Sequence, residues 1–360
     1  MRNKVLDAYK FLFCCVIMLY HFFYATGGQY LVGGAGGVEF FVLAASLFFY
    51  RKFYHQAQSG RLMSNLTYGK KRLLRFLPYT TVAFIIAVVV KRIIPTLLKG
   101  KVITAVQLYK WFSKDIWEWL LVSMNGLNGE SQLLNGPTWT LSAMLISEVL
   151  IWGLLQYNER LFRIVLAPVT ILVFPGYWEG VDSAGYASWH GFTTFGVLRV
   201  FFLMCLGYYI YSAAVKLREV RLSKYGRAVL TACEFFCLGL SLVNMNFFSS
   251  RYFRFEIILL LSIVLLIAYS GQSYSEQLCR SAAVTTYLGE LSLAIYLVHS
   301  PILAAFQIVY PDPNALYAHK LAFCFVVLLT SVLFLPFVKG LIALFLKLKE
   351  RIVDKAIISV

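Results

Sequence analysis

The sequence predicts an all-α, polytopic membrane helix bundle with about ten transmembrane helices and both termini in the cytoplasm. Composition is the first reason: 60% of the 360 residues are hydrophobic and only 14% are charged, which is more apolar than a soluble core requires. The second is the recurrence of apolar runs long enough to cross a bilayer. The third is the net charge of +16, which is concentrated between those runs as in cytoplasmic loops. We therefore expect membrane lipids as partners and no nucleic acid.

The candidate spans follow one another with short connections, except for the connection 95–137. In chain order they are approximately 9–26, 34–50, 76–94, 138–157, 162–178, 191–213, 228–248, 254–270, 285–309 and 320–346. Pro168 and Pro175 interrupt the fifth run, which makes it the weakest candidate. The amphipathic stretch 103–124 has two interpretations, a helix on the membrane surface or a further span.

The distribution of basic residues predicts the orientation. With ten spans, the basic clusters at 51–75, 216–227 and 347–355 all fall on the cytoplasmic side. A further basic group would face outward against this pattern: Lys91, Arg92, Lys99 and Lys101. We predict one membrane domain over residues 1–346 and a basic cytoplasmic tail over 347–360.

The first run has an alternative interpretation as a cleaved signal peptide, because Arg2 and Lys4 precede an apolar region. Asp7 and Lys10 interrupt that region, and no A-x-A cleavage site follows it. A retained membrane helix is therefore the prediction.

Lys10 and His21 lie eleven residues apart in this first run, which is about three helical turns and roughly 16 Å. They share one helix face, with a cation near one membrane surface and a titratable imidazole deeper toward the other. Such groups are costly inside a membrane and so indicate a function. The alternative is that Lys10 extends to the interface and His21 packs between helices.

Arg72 and Arg75 enter the third run from the cytoplasm. Their i, i+3 spacing projects both guanidinium groups from one side of a helix. Arginine forks match phosphate oxygens, so a cytoplasmic ligand that carries several phosphates fits this pair. The alternative is a topology determinant that binds lipid headgroups.

Glu39 follows a glycine-rich opening of the second run, 33–37, which is suited to a tight reversal and close helix approach. Glu39 would enter this run at about the depth where His21 leaves the first. We expect a carboxylate–imidazole pair that orients His21 and raises its basicity.

Polar residues also occur in two later runs. Trp139, Ser142 and Glu148 lie in the fourth, and Tyr296 and His299 lie one turn apart in the ninth. Each of these residues also has an interpretation as polar packing between helices, which is the favoured one for Glu148 and His299. Only their joint occurrence indicates a function.

Together these motifs resemble the acyltransferase 3 family, whose integral-membrane members acylate hydroxyl groups of surface carbohydrates and lipids with cytoplasmic acyl-coenzyme A. Lys10-x10-His21 resembles the family's R/K-x10-H signature, and Arg72-x-x-Arg75 resembles its R-x-x-R motif. Gly37-Val38-Glu39-Phe40-Phe41-Val42-Leu43 resembles its G-V-[DE]-x-F-F-V-[LI] run. Tyr296-x-x-His299, followed by Pro301, is similar to its late Y-L-x-H motif, which is a weaker match.

The chain departs from the family pattern in two places. Many members continue F-F-V-L-S-G, whereas Ala44 follows Leu43 here. Many also read W-S-L-S-x-E, and here Met144 takes the glutamate's place, with Glu148 one turn later. Whether Glu148 replaces that glutamate stays open.

The resemblance implies a multi-pass O-acyltransferase of a bacterial cytoplasmic membrane that moves an acyl group, by default acetyl, onto a cell-envelope polysaccharide or a lipid-linked sugar. It implies His21 as general base steadied by Glu39, with Lys10, Arg72 and Arg75 binding acyl-coenzyme A. Acyl-coenzyme A would be a co-substrate, and no cofactor is expected to stay bound. The seven cysteines contain no C-x-x-C, so we expect neither a metal site nor disulfides.

Three alternatives stay open. A covalent acyl-enzyme would use Ser142, Ser46 or Cys14 as nucleophile. A transporter or flippase for a glycolipid or saccharide would also need many spans and buried charges, although we see no internal repeat. A non-catalytic partner of a polysaccharide assembly complex is the third. The aromatic outer connection 178–190 fits an interfacial belt or a sugar-contacting surface.

Overall fold

The computed structural model describes residues 3–28, 30–126, 133–174, 188–189, 191, 193–248, 255–279 and 281–358, with the side chains of the last helix given to Phe345 and at Lys347. Within these residues the regular secondary structure is helical apart from one pair of two-residue strands, which confirms the all-α prediction. The strands are β1 (Ser188–Trp189) and β2 (Thr193–Thr194), which pair antiparallel. The rest of the connection 178–190 lies outside the described residues.

Five helices lie before residue 127. They are α1 (Lys4–Ala25), α2 (Gly37–Gln58), α3 (Asn65–Val88), α4 (Ile94–Leu98) and α5 (Ala105–Trp119). Nine helices follow it: α6 (Thr138–Leu161), α7 (Ala167–Val173), α8 (Phe195–Glu219), α9 (Lys224–Phe247), α10 (Phe255–Ser270), α11 (Ser275–Leu278), α12 (Ala282–Val309), α13 (Pro313–Ala318) and α14 (Lys320–Ile358).

Seven helical runs in the described residues are long and apolar enough to cross a membrane. They are Lys4–Ala25, Asn65–Leu98, Thr138–Val173, Phe195–Glu219, Lys224–Phe247, Ala282–Val309 and Lys320–Phe345. The predicted α2 span is not among them, because Glu39, Arg51 and Lys52 lower its hydropathy. The α10 span has only 16 residues. The count of about ten and the cytoplasmic side of the termini stay predictions.

Two predicted spans, 138–157 and 162–178, belong to one helical run with a break at Asn158. The backbone of Asn158 is extended (φ −159°, ψ 92°), and its side chain accepts a hydrogen bond from the Leu161 amide at 2.9 Å. Asn158 therefore caps the start of a second helix. Pro168 does not end that helix, although proline has no backbone N–H to donate. A π-helical turn over Phe162–Leu166 precedes it and accommodates the missing hydrogen bond.

The amphipathic stretch 103–124 contains α5, which has 15 residues and extends about 22 Å. That length is too short for a bilayer core of about 30 Å. Its acidic side chains Asp115 and Glu118 are buried in the protein, whereas Tyr109, Phe112 and Trp117 are exposed. The structure thus supports a surface helix and not a further span.

The bundle positions the candidate site by packing α1 against α2 and α12. The approach of α1 and α12 is close: a Cβ on Gly289 would lie 2.7 Å from the Asp7 carboxyl carbon. The α2–α8 contact is closer still, because a Cβ on Gly207 would overlap the Ser46 hydroxyl. Small residues at these crossings bring the backbones together, as in other membrane helix pairs.

Candidate functional site

A small cavity lies inside the bundle where α1, α6, α8 and α12 meet. Its volume is about 130 Å³, and its lining includes Ala35 of the glycine-rich segment 33–37 and Gly136 before α6. The polar and aromatic lining consists of Tyr20, His21, Trp139, Arg199, Tyr296 and Ser300. Three of the residues that the sequence singled out, His21, Trp139 and Tyr296, therefore share one cavity.

His21 stacks on His299 across the α1–α12 contact. The two ring centroids are 5.2 Å apart, with 27° between the ring planes. His21 lines the cavity, whereas His299 lies behind it and is fully buried. Within the described part of the chain, the His21 side chain forms no hydrogen bond, so its ring nitrogens are available to a molecule in the cavity.

The neighbours of His299 define its tautomer. Its Nδ1 lies 3.1 Å from the Ile295 carbonyl oxygen, an acceptor, so Nδ1 carries the proton. Its Nε2 then holds the lone pair, and among the described residues that buried atom has no hydrogen-bond partner. The pair thus combines an imidazole that lines the cavity with a second imidazole that is buried behind it.

The structure gives Glu39 a different partner from the one predicted. Glu39 Oε1 accepts a hydrogen bond from Arg199 Nη2 of α8, and both side chains are buried. The predicted carboxylate–imidazole pair between Glu39 and His21 is therefore wrong. Glu39 forms an ion pair instead, because the packing of α8 against α2 places the Arg199 guanidinium against its carboxylate. Arg199 also lies over the Trp139 ring, with 5.8 Å between its Cζ and the ring centroid.

Tyr296 and Trp139 frame the cavity from α12 and α6. The Tyr296 hydroxyl donates to Thr140 Oγ1 at 2.8 Å, which joins the two helices. The Ser142 hydroxyl, one turn further along α6, accepts a hydrogen bond from the Met124 amide at 3.1 Å. Ser142 therefore holds the connection before α6 and does not line the cavity.

Arg72 lies near the start of α3, at the end of the bundle that is remote from the cavity. It forms a bidentate ion pair with Glu148 of α6. Arg72 Nε donates to Glu148 Oε2 at 2.6 Å, and Arg72 Nη2 donates to Oε1 at 2.5 Å. Tyr68 donates a third hydrogen bond to the same carboxylate at 2.7 Å. Glu148 lies nine residues beyond Trp139, about 14 Å along α6, so it serves the Arg72 end of the bundle rather than the cavity.

The other predicted donor-binding residues stay at this end. Arg75 is exposed, and Lys10 is partly exposed with its ammonium 3.2 Å from Asp7 Oδ1 and 4.7 Å from the Phe48 ring centroid. Asp7 is buried. The structure thus places Lys10 and His21 at two depths of one unbroken helix, as the spacing predicted, and it places Arg72 and Arg75 together on α3.

None of the three candidate nucleophiles lines the cavity. Ser46 and Ser142 are fully buried, and Cys14 is 1% exposed. Cys14 donates to the Ser292 carbonyl oxygen at 2.9 Å, and Ser46 donates to the Leu43 carbonyl oxygen at 2.6 Å. These contacts do not support the covalent acyl-enzyme alternative.

Sequence reasoning passed over several ionisable residues that the structure brings forward. Arg199 lies inside an apolar run, and Glu234 of α9 is fully buried and accepts from the Tyr9 hydroxyl at 2.6 Å. Lys91 was noted only as an exception to the charge pattern, yet its ammonium is 3.4 Å from Ser300 Oγ of the cavity. The signal that could have found all three is an ionisable residue within an apolar run.

Glu118 was also missed, and it fixes the entry to α6. Its carboxylate accepts from the amides of Leu134 and Asn135 at 2.6 and 2.9 Å and from Thr138 Oγ1 at 2.9 Å. Burial raises the pKa of Glu118 to about 7, against the effect of these hydrogen bonds. Among the described residues, no group of three or more histidine, cysteine or acidic side chains could hold a metal ion.

The fold and these contacts define an integral-membrane helical protein with a histidine-lined cavity at one end of a bundle and a basic ion-paired site at the other. A family model described as an acyltransferase domain, that of the acyltransferase 3 family, matches residues 3–337. The chain therefore belongs to that family, as the motifs indicated, and membership implies acyltransferase activity. No curated protein and no solved structure matches the chain.

Proposed function

We propose that this protein moves an acyl group, acetyl by default, from cytoplasmic acyl-coenzyme A to a hydroxyl group of a cell-envelope polysaccharide or lipid-linked sugar. The observation that carries the proposal is the position of His21. It lines a cavity of about 130 Å³ and stacks on a second imidazole, at the far end of the helix that carries Lys10. A bacterial cytoplasmic membrane is the setting that this reaction implies.

The donor would be held where the arginines are. Arg75 is exposed, and Arg72 uses only two of its N–H groups for Glu148, so its others are available to phosphate oxygens. Lys10 of α1 adds a partly exposed ammonium group at this end. The roughly 16 Å from Lys10 to His21 suits an extended pantetheine arm that brings the thioester to the cavity.

The chemical step is proton abstraction coupled to acyl transfer. A ring nitrogen of His21 takes the proton of the acceptor hydroxyl while the hydroxyl oxygen forms a bond to the thioester carbonyl carbon. The C–S bond then breaks, the acyl group stays on the acceptor, and the thiolate of coenzyme A takes the proton back from His21. A positioned general base contributes about 10²- to 10⁴-fold to such a step.

Two neighbours support this role of His21. His299 keeps the His21 ring in place by stacking. Arg199 brings a cation to the cavity wall, where it can stabilise the oxyanion of the tetrahedral intermediate. Glu39 holds Arg199 through their ion pair. In this scheme, Glu39 is a positioning residue that acts through Arg199.

The experiment is acyl transfer by the purified protein in nanodiscs with radiolabelled acetyl-coenzyme A and a panel of envelope glycans. We expect release of free coenzyme A together with labelled saccharide, and loss of both in His21→Ala. His55→Ala is the matched control, because His55 is an exposed histidine of α2 away from the cavity. If the native protein neither binds nor consumes any acyl-coenzyme A, the proposal fails and transport of a glycolipid becomes the better hypothesis.

A further inference from the structure

A second and larger cavity borders the His21 cavity and is basic. Its volume is about 270 Å³, and its lining consists of Lys91, Arg92, Lys114, Asp115, Leu133 and Leu134. Three of these side chains are cations and one is a carboxylate. Arg92 Nη2 donates to Asp115 Oδ1 at 2.8 Å, and the Glu118 carboxylate, which lies outside the lining, acts electrostatically on Lys91. The three cations of the lining thus have two acidic neighbours, and the cavity keeps a net positive charge.

Lys91 is the boundary between the two cavities. Its ammonium donates to the Leu134 carbonyl oxygen at 2.8 Å and to Ser300 Oγ at 3.4 Å. Leu134 lines the basic cavity, and Ser300 lines the cavity of His21. A molecule whose anionic group lies beside Lys91 thus has its neighbouring atoms close to the histidine-lined space.

The local backbone explains how Lys91 and Arg92 come to face inward at the same place. They lie in a π-helical turn, Val89–Ile93, that precedes Pro95. Proline removes an amide donor and crowds the carbonyl four residues earlier, which is that of Lys91, and a widened turn relieves both effects. Such turns are frequent at functional sites.

The basic cavity lies at the end of the bundle where the sequence pattern does not explain basic residues. Lys91 is 19 residues beyond Arg72, roughly 28 Å along the helical run, so the two basic regions occupy opposite ends. On the predicted topology the Lys91 end faces outward, where the positive-inside rule gives no reason for lysine and arginine. Binding of an anionic ligand does explain basic residues at this end.

We propose that the cavity formed by Lys91, Arg92 and Lys114 binds an oxyanion of the acceptor, a phosphate or carboxylate carried on the saccharide close to the hydroxyl that is acylated. This inference rests on the proposed function and names its substrate class: an anionic saccharide. Lysine ammonium groups bind such oxygens as point charges, so both phosphate and carboxylate fit this chemistry.

The test compares charged acceptors with their neutral counterparts. The probes are a glucuronic-acid oligosaccharide and its neutral methyl ester, and a glycosyl phosphate and the corresponding methyl glycoside. Acyl transfer is measured for the native protein, for Lys114→Ala and for Lys110→Ala. Lys114 is exposed and lines the cavity, whereas Lys110 is an exposed lysine of the same helix α5 that does not line it.

We expect the native protein to prefer a charged acceptor over its neutral counterpart. Lys114→Ala should raise the KM for that acceptor about tenfold, since one charge-assisted contact is lost, and should leave the KM for the neutral one unchanged. Lys110→Ala should change neither value. The charged acceptor that responds tells phosphate from carboxylate. Equal use of charged and neutral acceptors, or equal effects of the two variants, overturns the inference while acyl transfer itself stands.

Direct binding separates this inference from the proposed function. Equilibrium binding of the charged and neutral oligosaccharides is measured in neutral-lipid nanodiscs without any donor, for the native protein and for Lys114→Glu. Charge-dependent binding that Lys114→Glu abolishes supports the inference even if no acyl transfer is found. Retention of phosphatidylglycerol by the native protein and not by Lys114→Glu, without charge-dependent saccharide binding, overturns it in favour of a lipid headgroup site.

Discussion

The Arg72 guanidinium donates two hydrogen bonds to the Glu148 carboxylate, at 2.6 and 2.5 Å, and Glu148 is 1% exposed. This pair ties α3 to α6 at the end of the bundle where the donor would bind. Arg72 therefore has a structural partner in addition to its proposed phosphate, and a variant of Arg72 changes both stability and donor binding.

Removal of the Arg72 side chain should show how much the Arg72–Glu148 ion pair contributes to stability. Arg72→Ala leaves the buried Glu148 carboxylate without its cation, and breaking a buried ion pair costs about 3–5 kcal/mol. We expect a clear fall in the midpoint of thermal unfolding in nanodiscs. The double variant Arg72→Met, Glu148→Met should recover most of that loss, because neither charge remains buried. A native-like midpoint for Arg72→Ala alone would contradict this account.

Arg75 offers the cleaner test of donor binding. It is exposed, so Arg75→Ala should leave the unfolding midpoint unchanged and should weaken binding of acyl-coenzyme A by about tenfold or more through loss of a charge-assisted phosphate contact. Binding is measured with a non-hydrolysable acyl-coenzyme A analogue. Arg61→Ala, another exposed arginine before α3, is the control and should bind as the native protein does. Equal affinities for all three proteins would remove Arg75 from the donor site.

The α2–α8 crossing predicts a stability effect without any charge. A methyl group on Gly207 would overlap the Ser46 hydroxyl, so Gly207→Ala must push the two helices apart. We expect a loss of about 1–3 kcal/mol, as for other overpacked contacts, measured by thermal unfolding. Ser46→Gly in the same chain should restore much of it. Gly239→Ala is the control, since nothing lies within 4 Å of a Cβ at that glycine.

Glu118 predicts a pH dependence of stability. Its pKa in the folded protein is raised to about 7 by burial, so folding favours the protonated acid. The stabilisation from this group is complete below its unfolded pKa of about 4.3 and is lost as the pH rises through about 7. Between pH 5 and pH 8, the free energy of unfolding of the native protein should therefore fall by about 3 kcal/mol more than that of Glu118→Gln. Parallel pH profiles of the two unfolding midpoints would show that Glu118 does not titrate in this window.

The sequence predicted the helices better than it predicted which of the candidate residues contact one another. Periodicity and hydropathy locate Lys10 and His21 on one helix, because their spacing is a property of that helix alone. Arg72 and Arg75 follow for the same reason. The structure brings His21 to His299, two motifs far apart in sequence whose contact depends on which helices pack together.

Partner choice is where the sequence reasoning failed. Glu39 was assigned to His21 from their similar depth, and the structure pairs it with Arg199 from a helix that carried no motif. Depth is a one-dimensional property, whereas an ion pair needs two helices to face each other. The same limit hid the Arg72–Glu148 pair, although both residues had been singled out.

The central claim is that His21 removes the proton from the acceptor hydroxyl and takes no part in holding the donor. The most direct measurement is a paired determination, on His21→Ala and the native protein, of acyl-coenzyme A affinity and of single-turnover acyl transfer. We predict native affinity, a native unfolding midpoint and a transfer rate lower by about 10²- to 10⁴-fold. A His21→Ala protein that is folded, binds the donor and transfers acyl groups at the native rate would contradict the claim.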